Sequence, residues 1–126
     1  MKALNIIESA YRGTLEEQDD TVVWLTHAMK GAGAELDVLL KGNAVNYAVA
    51  SQHVPSLVFG ERVQSHGPHL ADDVAGLIGK GITVHIIQED LDARGIQAGE
   101  LIDGLTPVAR GDLPSLFEGY DHIWHW

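Results

Sequence analysis

Histidine and carboxylate are the chemically active side chains in this sequence of 126 residues. It contains seven histidines, 18 Asp and Glu, and no cysteine. Imidazole binds zinc, copper and nickel and moves protons near neutral pH. Two short runs bring histidines together, Ser65-His66-Gly67-Pro68-His69 and Asp121-His122-Ile123-Trp124-His125-Trp126. If the second run is a strand, residues three apart point to opposite faces. His122, Trp124 and Trp126 then share one face, and Ile123 and His125 the other. That spacing does not make a chelating pair, so no metal site and no cofactor are expected. The lack of cysteine also excludes disulfides and thiolate metal sites. His85 alternates with Val84 and Ile86, as a half-buried, hydrogen-bonded side chain would. Trp24 and His27, one helical turn apart, suggest a second buried face or a subunit contact.

Other chemistries lack their motifs. Ser9, Ser51, Ser56, Ser65 and Ser115 do not sit in the Gly-x-Ser-x-Gly elbow of a hydrolase. There is no Gly-x-x-x-x-Gly-Lys-Ser/Thr phosphate loop, and Gly31-Ala32-Gly33 closes a helix rather than opening one. The acidic run Glu16-Glu17-Gln18-Asp19-Asp20 falls in an early helical turn, where carboxylates favour the helix dipole. Glu8 and Glu35 do not supply a receiver-type acidic pair, and Lys80 does not follow the third strand. No catalytic residue is assigned.

The elements that must position these residues follow from periodicity and punctuation. Ala3–Ile7 reads as a first strand. Thr14 and Glu17 form a capping box, and Leu15, Val22, Leu25, Met29 and Ala32 recur at helical spacing until Gly31 and Gly33. Glu35–Leu40 is a second strand. Asn43–Gln52 reads as a helix with Ala44, Tyr47, Ala48 and Ser51 on one face. Residues 53–67 read mostly as loop around the short apolar run Leu57-Val58-Phe59. A third helix starts at Pro68, buries Leu70, Val74, Leu77 and Ile78, places Asp72 and Asp73 in its first turn, and ends at Gly81. Ile82–Ile87 is a third strand. Short helical pieces at Asp90–Arg94 and Ala98–Ile102 are separated by Gly95. Leu105–Ala109 is a strand, Asp112–Glu118 a short helix capped by Asp112, and Tyr120–Trp126 a terminal aromatic strand. Strands alternating with helices indicate an α/β fold with a mostly parallel sheet of about five strands.

The length suits one domain, 1–126. An apolar fraction of 45% and a charged fraction of 21% are those of a globular chain. The net charge of −10 argues against nucleic-acid binding, which needs clustered Lys and Arg. The N-terminus MKALNIIESAYRG has no long apolar stretch of a signal peptide, and no run approaches the ~18 apolar residues of a membrane span. A cytoplasmic protein, without membrane partners, is expected.

The element order resembles the DsrE/DsrF-like sulfur-relay family across nearly the whole chain. The resemblance rests on Ala28-Met29-Lys30-Gly31, Leu39-Leu40-Lys41-Gly42-Asn43-Ala44-Val45, Lys80-Gly81-Ile82-Thr83-Val84 and Leu91-Asp92-Ala93-Arg94-Gly95-Ile96, in this order and spacing. It implies a flavodoxin-like three-layer sandwich, assembly as a homo-oligomer (trimer or hexamer) and sulfur-relay protein partners. It also implies a persulfide-carrying cysteine eight residues before the Gly of the Arg-Gly pair. Gly95 points to Ile87, which can carry no sulfur.

Ligands of open α/β sheets bind beyond the C-terminal strand ends. Ile87, Gln88, Glu89 and Asp90, with Asn43, are therefore the candidate ligand-binding residues, although isoleucine at 87 also suits a core position. The resulting reading is a non-catalytic, structural or partner-binding subunit. The alternatives are a small enzyme using His53, His66 or His69 beside Glu61 or Asp90, and a histidine-based metal-binding module.

Overall fold

The computed structural model describes residues 1–11 and 20–126. Five parallel strands form its main sheet: β1 (Lys2–Ile7), β2 (Glu35–Leu40), β5 (Val84–Ile87), β6 (Thr106–Val108) and β7 (His122–His125). Their order across the sheet is β6-β5-β2-β1-β7. A separate antiparallel hairpin joins β3 (Val58–Phe59) to β4 (Arg62–Val63). The helices are α1 (Thr21–Gly31), α2 (Leu70–Gly79), α3 (Gln88–Ala93) and α4 (Leu113–Phe117). The expected three-layer α/β sandwich is the observed architecture.

β1, β2 and β5 are near-continuous apolar runs because both faces of a parallel sheet are covered. The period of two divides their side chains. Ile7, Val38, Leu40, Val84 and Ile86 point into the larger core with Val22 and Val23 of α1 and Val74 and Leu77 of α2. Leu4, Ile6, Leu39 and Ile87 point the other way, under Leu113, Leu116 and Phe117 of α4.

Several boundaries differ from the sequence reading. The capping box at Thr14 and Glu17, Leu15, and Glu16, Glu17, Gln18 and Asp19 of the acidic run lie outside the described residues. α1 starts at Thr21 instead, because Asp20 is its N-cap: the Asp20 carboxylate accepts from the Val22 and Val23 N–H groups at 2.8 and 3.1 Å. Its other oxygen accepts from the Tyr47 hydroxyl at 2.8 Å, so a buried carboxylate ties α1 to the segment after β2. The expected helix Asn43–Gln52 is a 3₁₀ segment, Gly42–Ala48. Ala44, Tyr47 and Ala48 are buried as expected, but Ser51 is exposed. Tertiary pairing ends this segment. Val49 bridges Leu101, the Ala50 N–H donates to the Glu100 carbonyl, and the Ile102 N–H donates to the Ala48 carbonyl.

α2 begins at Leu70 with His69 as its cap residue, two positions after Pro68. It closes on Gly81, whose φ of +80° reverses the chain into β5. Asp112 occupies the position before α4 but makes no side-chain cap hydrogen bond, because Arg110–Asp112 form a 3₁₀ turn running into that helix. No helix among the described residues is long and apolar enough to cross a membrane.

Candidate functional site

The C-terminal ends of the parallel strands bring together side chains from five separate segments. Asp90, in the first turn of α3, is the centre of one group. It is buried, and its carboxylate accepts from the Gly42 N–H at 2.8 Å and from Arg110 Nη2 at 2.5 Å. Gly42 meets it with φ +57°, a conformation that favours glycine, and a Cβ there would lie 3.3 Å from Cγ of Glu8. Arg94 spans the same gap. Its Nη1 donates to the Asp90 carbonyl at 3.0 Å, while Nε and Nη2 donate to Asn43 Oδ1 at 3.2 and 2.7 Å. Glu89 turns aside and accepts from the Arg110 N–H at 2.8 and 3.0 Å. Gln88 donates to Asp92 at 2.8 Å, one turn along its own helix.

Four of the five sequence-selected residues therefore lie around one rim, with Asn43 and Asp90 joined through Arg94. Ile87 does not join them. It is fully buried, packed in the smaller core with Leu4, Ile6 and Leu39. Its backbone ends β5, but its side chain belongs to the α4 side of the sheet.

A second group lies where the strand order reverses, between β1 and β7. Open α/β sheets form their ligand crevices at such reversals. Glu8 follows β1, Lys41 follows β2 and His125 ends β7. Glu8 Oε2 receives Lys41 Nζ at 3.1 Å and His125 Nε2 at 2.5 Å. All three side chains are partly open to solvent. The Lys41 ammonium beside Glu8 is the largest influence on that carboxyl. Together with His125 it outweighs partial burial and holds Glu8 below the usual carboxylate range. Glu8 therefore remains an ionised base between two donors.

This His–carboxylate pair was not among those selected from the sequence. His66 bonds Ser65, and His69 pairs with Asp72 within its own helix turn. The partners described for Asp90 are Gly42 and Arg110, not a histidine. The sequence signal for the observed group is that Glu8 and Lys41 each sit immediately after an apolar parallel strand. Pairing of β7 with β1 supplies the histidine.

The opposite end of the sheet holds a quieter cluster. Asp37 of β2 accepts from Lys2 Nζ at 2.8 Å, the Tyr120 hydroxyl at 2.8 Å and the Thr83 N–H at 2.9 Å. Burial alone would raise the Asp37 carboxyl, but these three donors more than offset it and lower it. His85 Nε2 lies 3.3 Å from the same Tyr120 hydroxyl. Burial pushes the His85 imidazole down despite the nearby Asp37 charge. Burial, and then the bond to Asp37, drive the Tyr120 phenol far above its usual range. His85 is thus the half-buried, hydrogen-bonded histidine that its alternation suggested. The terminal histidines also diverge: His122 stacks on Trp124 and lies 3.1 Å from the Met1 sulfur, whereas His125 reaches Glu8.

No family model matches the chain, and no curated protein matches it. Solved structures do. The ychN protein from E. coli superposes with a TM-score of 0.72 at 18% identity, over 100% of both chains. The protein of unknown function MTH1491 from Methanobacterium thermoautotrophicum superposes with a TM-score of 0.64 at 15% identity, over 99% of this chain and 98% of that one. At these identities the likeness is one of fold, and it supports the DsrE/DsrF-like resemblance at that level.

Proposed function

We propose that this protein is a non-catalytic subunit of DsrE/DsrF-like fold that binds a partner loop or small ligand in sulfur-related metabolism without carrying sulfur itself. The observation that supports this most is Ile87. A persulfide carrier needs an accessible thiolate, and this side chain is both apolar and fully buried. The rim outside it is polar, and its groups are already bonded within the chain. Arg110 holds Asp90, Arg94 holds Asn43, and Lys41 and His125 hold Glu8. Such a rim suits recognition, because a partner can exchange these contacts for its own.

The test is reciprocal co-purification from the source cells after mild crosslinking, with partners identified by mass spectrometry. Cysteine-bearing sulfur-handling proteins are the expected partners. Their absence from both directions of the experiment would contradict the sulfur setting.

One observation favours a second reading, a small enzyme. Lys41 and His125 converge on Glu8 at the strand-order reversal, each within hydrogen-bond distance of its carboxylate. In that reading Glu8 is the base, and Lys41 keeps it ionised. Glu8→Gln and His125→Ala would then abolish turnover while leaving partner capture intact. The binding reading predicts weakened capture and no turnover to lose.

A further inference from the structure

The two edges of the main sheet are finished differently. β6 is three residues long with Pro107 at its centre, which has no N–H to offer another strand. β7, at the other edge, reads His122-Ile123-Trp124-His125 and is followed by Trp126. It contains no proline and no Asp, Glu, Lys or Arg, the usual means of blunting an edge. Its backbone is half used. The Trp126 N–H donates to the Ile6 carbonyl at 2.9 Å, and its own carbonyl accepts from the Glu8 N–H at 3.0 Å. Parallel pairing engages alternate residues. Trp124 therefore also turns its backbone to β1, and Ile123 and His125 turn theirs outward.

Charge selects what can approach this edge. The chain carries a net −10, so a second copy is repelled over most of its surface. Among the described residues, the face formed by α1 and β7 carries little charge of its own. Thr21–Gly31 contains Lys30 as its one charged residue, and 122–126 contain no charged side chain beyond histidine. On this face Leu25, Met29, Trp124 and Trp126 line an open apolar pocket of about 250 Å³. Trp24 beside them is 55% exposed.

We propose that β7 of a second copy pairs antiparallel with β7 about a two-fold axis at Trp124, joining two sheets into one. That register matches every outward group. Ile123 faces His125 of the second copy, and His125 faces Ile123 of the second copy, each pair exchanging two N–H···O bonds. Trp124 faces its own counterpart at the non-hydrogen-bonded position, where Cα atoms approach to about 4.5 Å. The two indoles then cover each other's pockets, and Trp24 borders the same seam. A two-fold contact of this kind uses one self-complementary patch. Of the assemblies the resemblance implies, a hexamer contains such an axis and a bare trimer does not.

The test is solution mass by sedimentation equilibrium up to about 100 µM, using the full chain and variants. The wild type should be a dimer or hexamer. Ile123→Pro removes an outward N–H and leaves the ladder to β1, so the mass should halve with the circular dichroism unchanged. The chain has no cysteine, so Trp124→Cys places a single thiol opposite itself. Oxidised glutathione should convert that variant to a disulfide-linked dimer faster than Val63→Cys, whose position is 61% exposed in the native chain. A wild-type monomer or bare trimer overturns the proposal. So does a folded Ile123→Pro variant of native mass. If Ile123→Pro fails to fold, the thiol pair decides, and equal crosslinking of the two cysteine variants overturns it.

Discussion

At the N-terminal end of the sheet, Asp37 is a buried carboxylate held by the Thr83 N–H, a tyrosine and a lysine. At the C-terminal end, Asp90 is equally buried but held by a glycine N–H and an arginine that is more than half exposed. The difference lies in what is being tied. Asp37 joins β2 to Thr83 before β5, to Tyr120 before β7 and to Lys2 of β1. It closes the fold across four segments. Asp90 and Glu8 join segments that follow strands, and each ties fewer elements than Asp37 does. The first end stabilises the sheet; the second presents polar groups that can change partners.

That contrast predicts a graded series of stability losses in urea unfolding. Asp37→Ala should be the most damaging, at about 3 kcal/mol, because it strands a tyrosine hydroxyl and a backbone N–H. Tyr120→Phe removes one of those bonds and its contact with His85, and should cost about 1–2 kcal/mol. Asp90→Asn keeps an acceptor for Gly42 but discards the Arg110 charge, and should cost about 1 kcal/mol. Glu8→Gln breaks exposed pairs and should change stability by no more than about 0.5–1 kcal/mol. An inverted order, with Glu8→Gln costing more than Asp37→Ala, would break the distinction between the two ends.

Acid sharpens the same comparison. His85 titrates below its ordinary value in the folded chain, because burial favours its neutral form. Its contribution is complete above about pH 6.5 and is lost as pH falls from there through the folded value. Asp37 is also lowered, so its contribution holds above about pH 3.9 and is lost below that. Wild-type melting temperature should therefore fall in two stages on acidification. His85→Gln should flatten the first stage and leave the second. An unchanged first stage would show that another group causes it.

β1, β2, β5 and α2 were legible because their apolar periodicity matches their burial, whereas α1 buries Val22, Val23 and Thr26 and leaves the expected stripe half open at Leu25 and Met29 and exposed at Ala32. β2 begins and ends where its sequence does, at Glu35 and Leu40. The failures occurred where distant partners decide. The helix expected at Asn43–Gln52 stops early because Val49 and Ala50 bond to the strip around Glu100 and Leu101. The hairpin at Val58–Val63 turns on Gly60, at φ +63°, a weak signal inside a loop-like stretch. The Glu8–His125 contact joins residues 117 apart and exists only because the last strand returns beside the first. For Ile87, the sequence indicated both a strand end and a core position, and the side chain is in the core. The sequence did not say that α4 covers that face.

The burial of residue 87 is the most direct test, because an accessible site there would restore the possibility of a sulfur-carrying position. The chain has no cysteine to compete, so Ile87→Cys reports on that position alone. Its reaction with a chromogenic disulfide should be followed at neutral pH in buffer and again in denaturing urea. Labelling in buffer should be at least about 100-fold slower than in urea, limited by opening of the α4 side of the core. Labelling in buffer at nearly the rate found in urea, with the variant still folded, would contradict it and reopen the strand end as a reactive site.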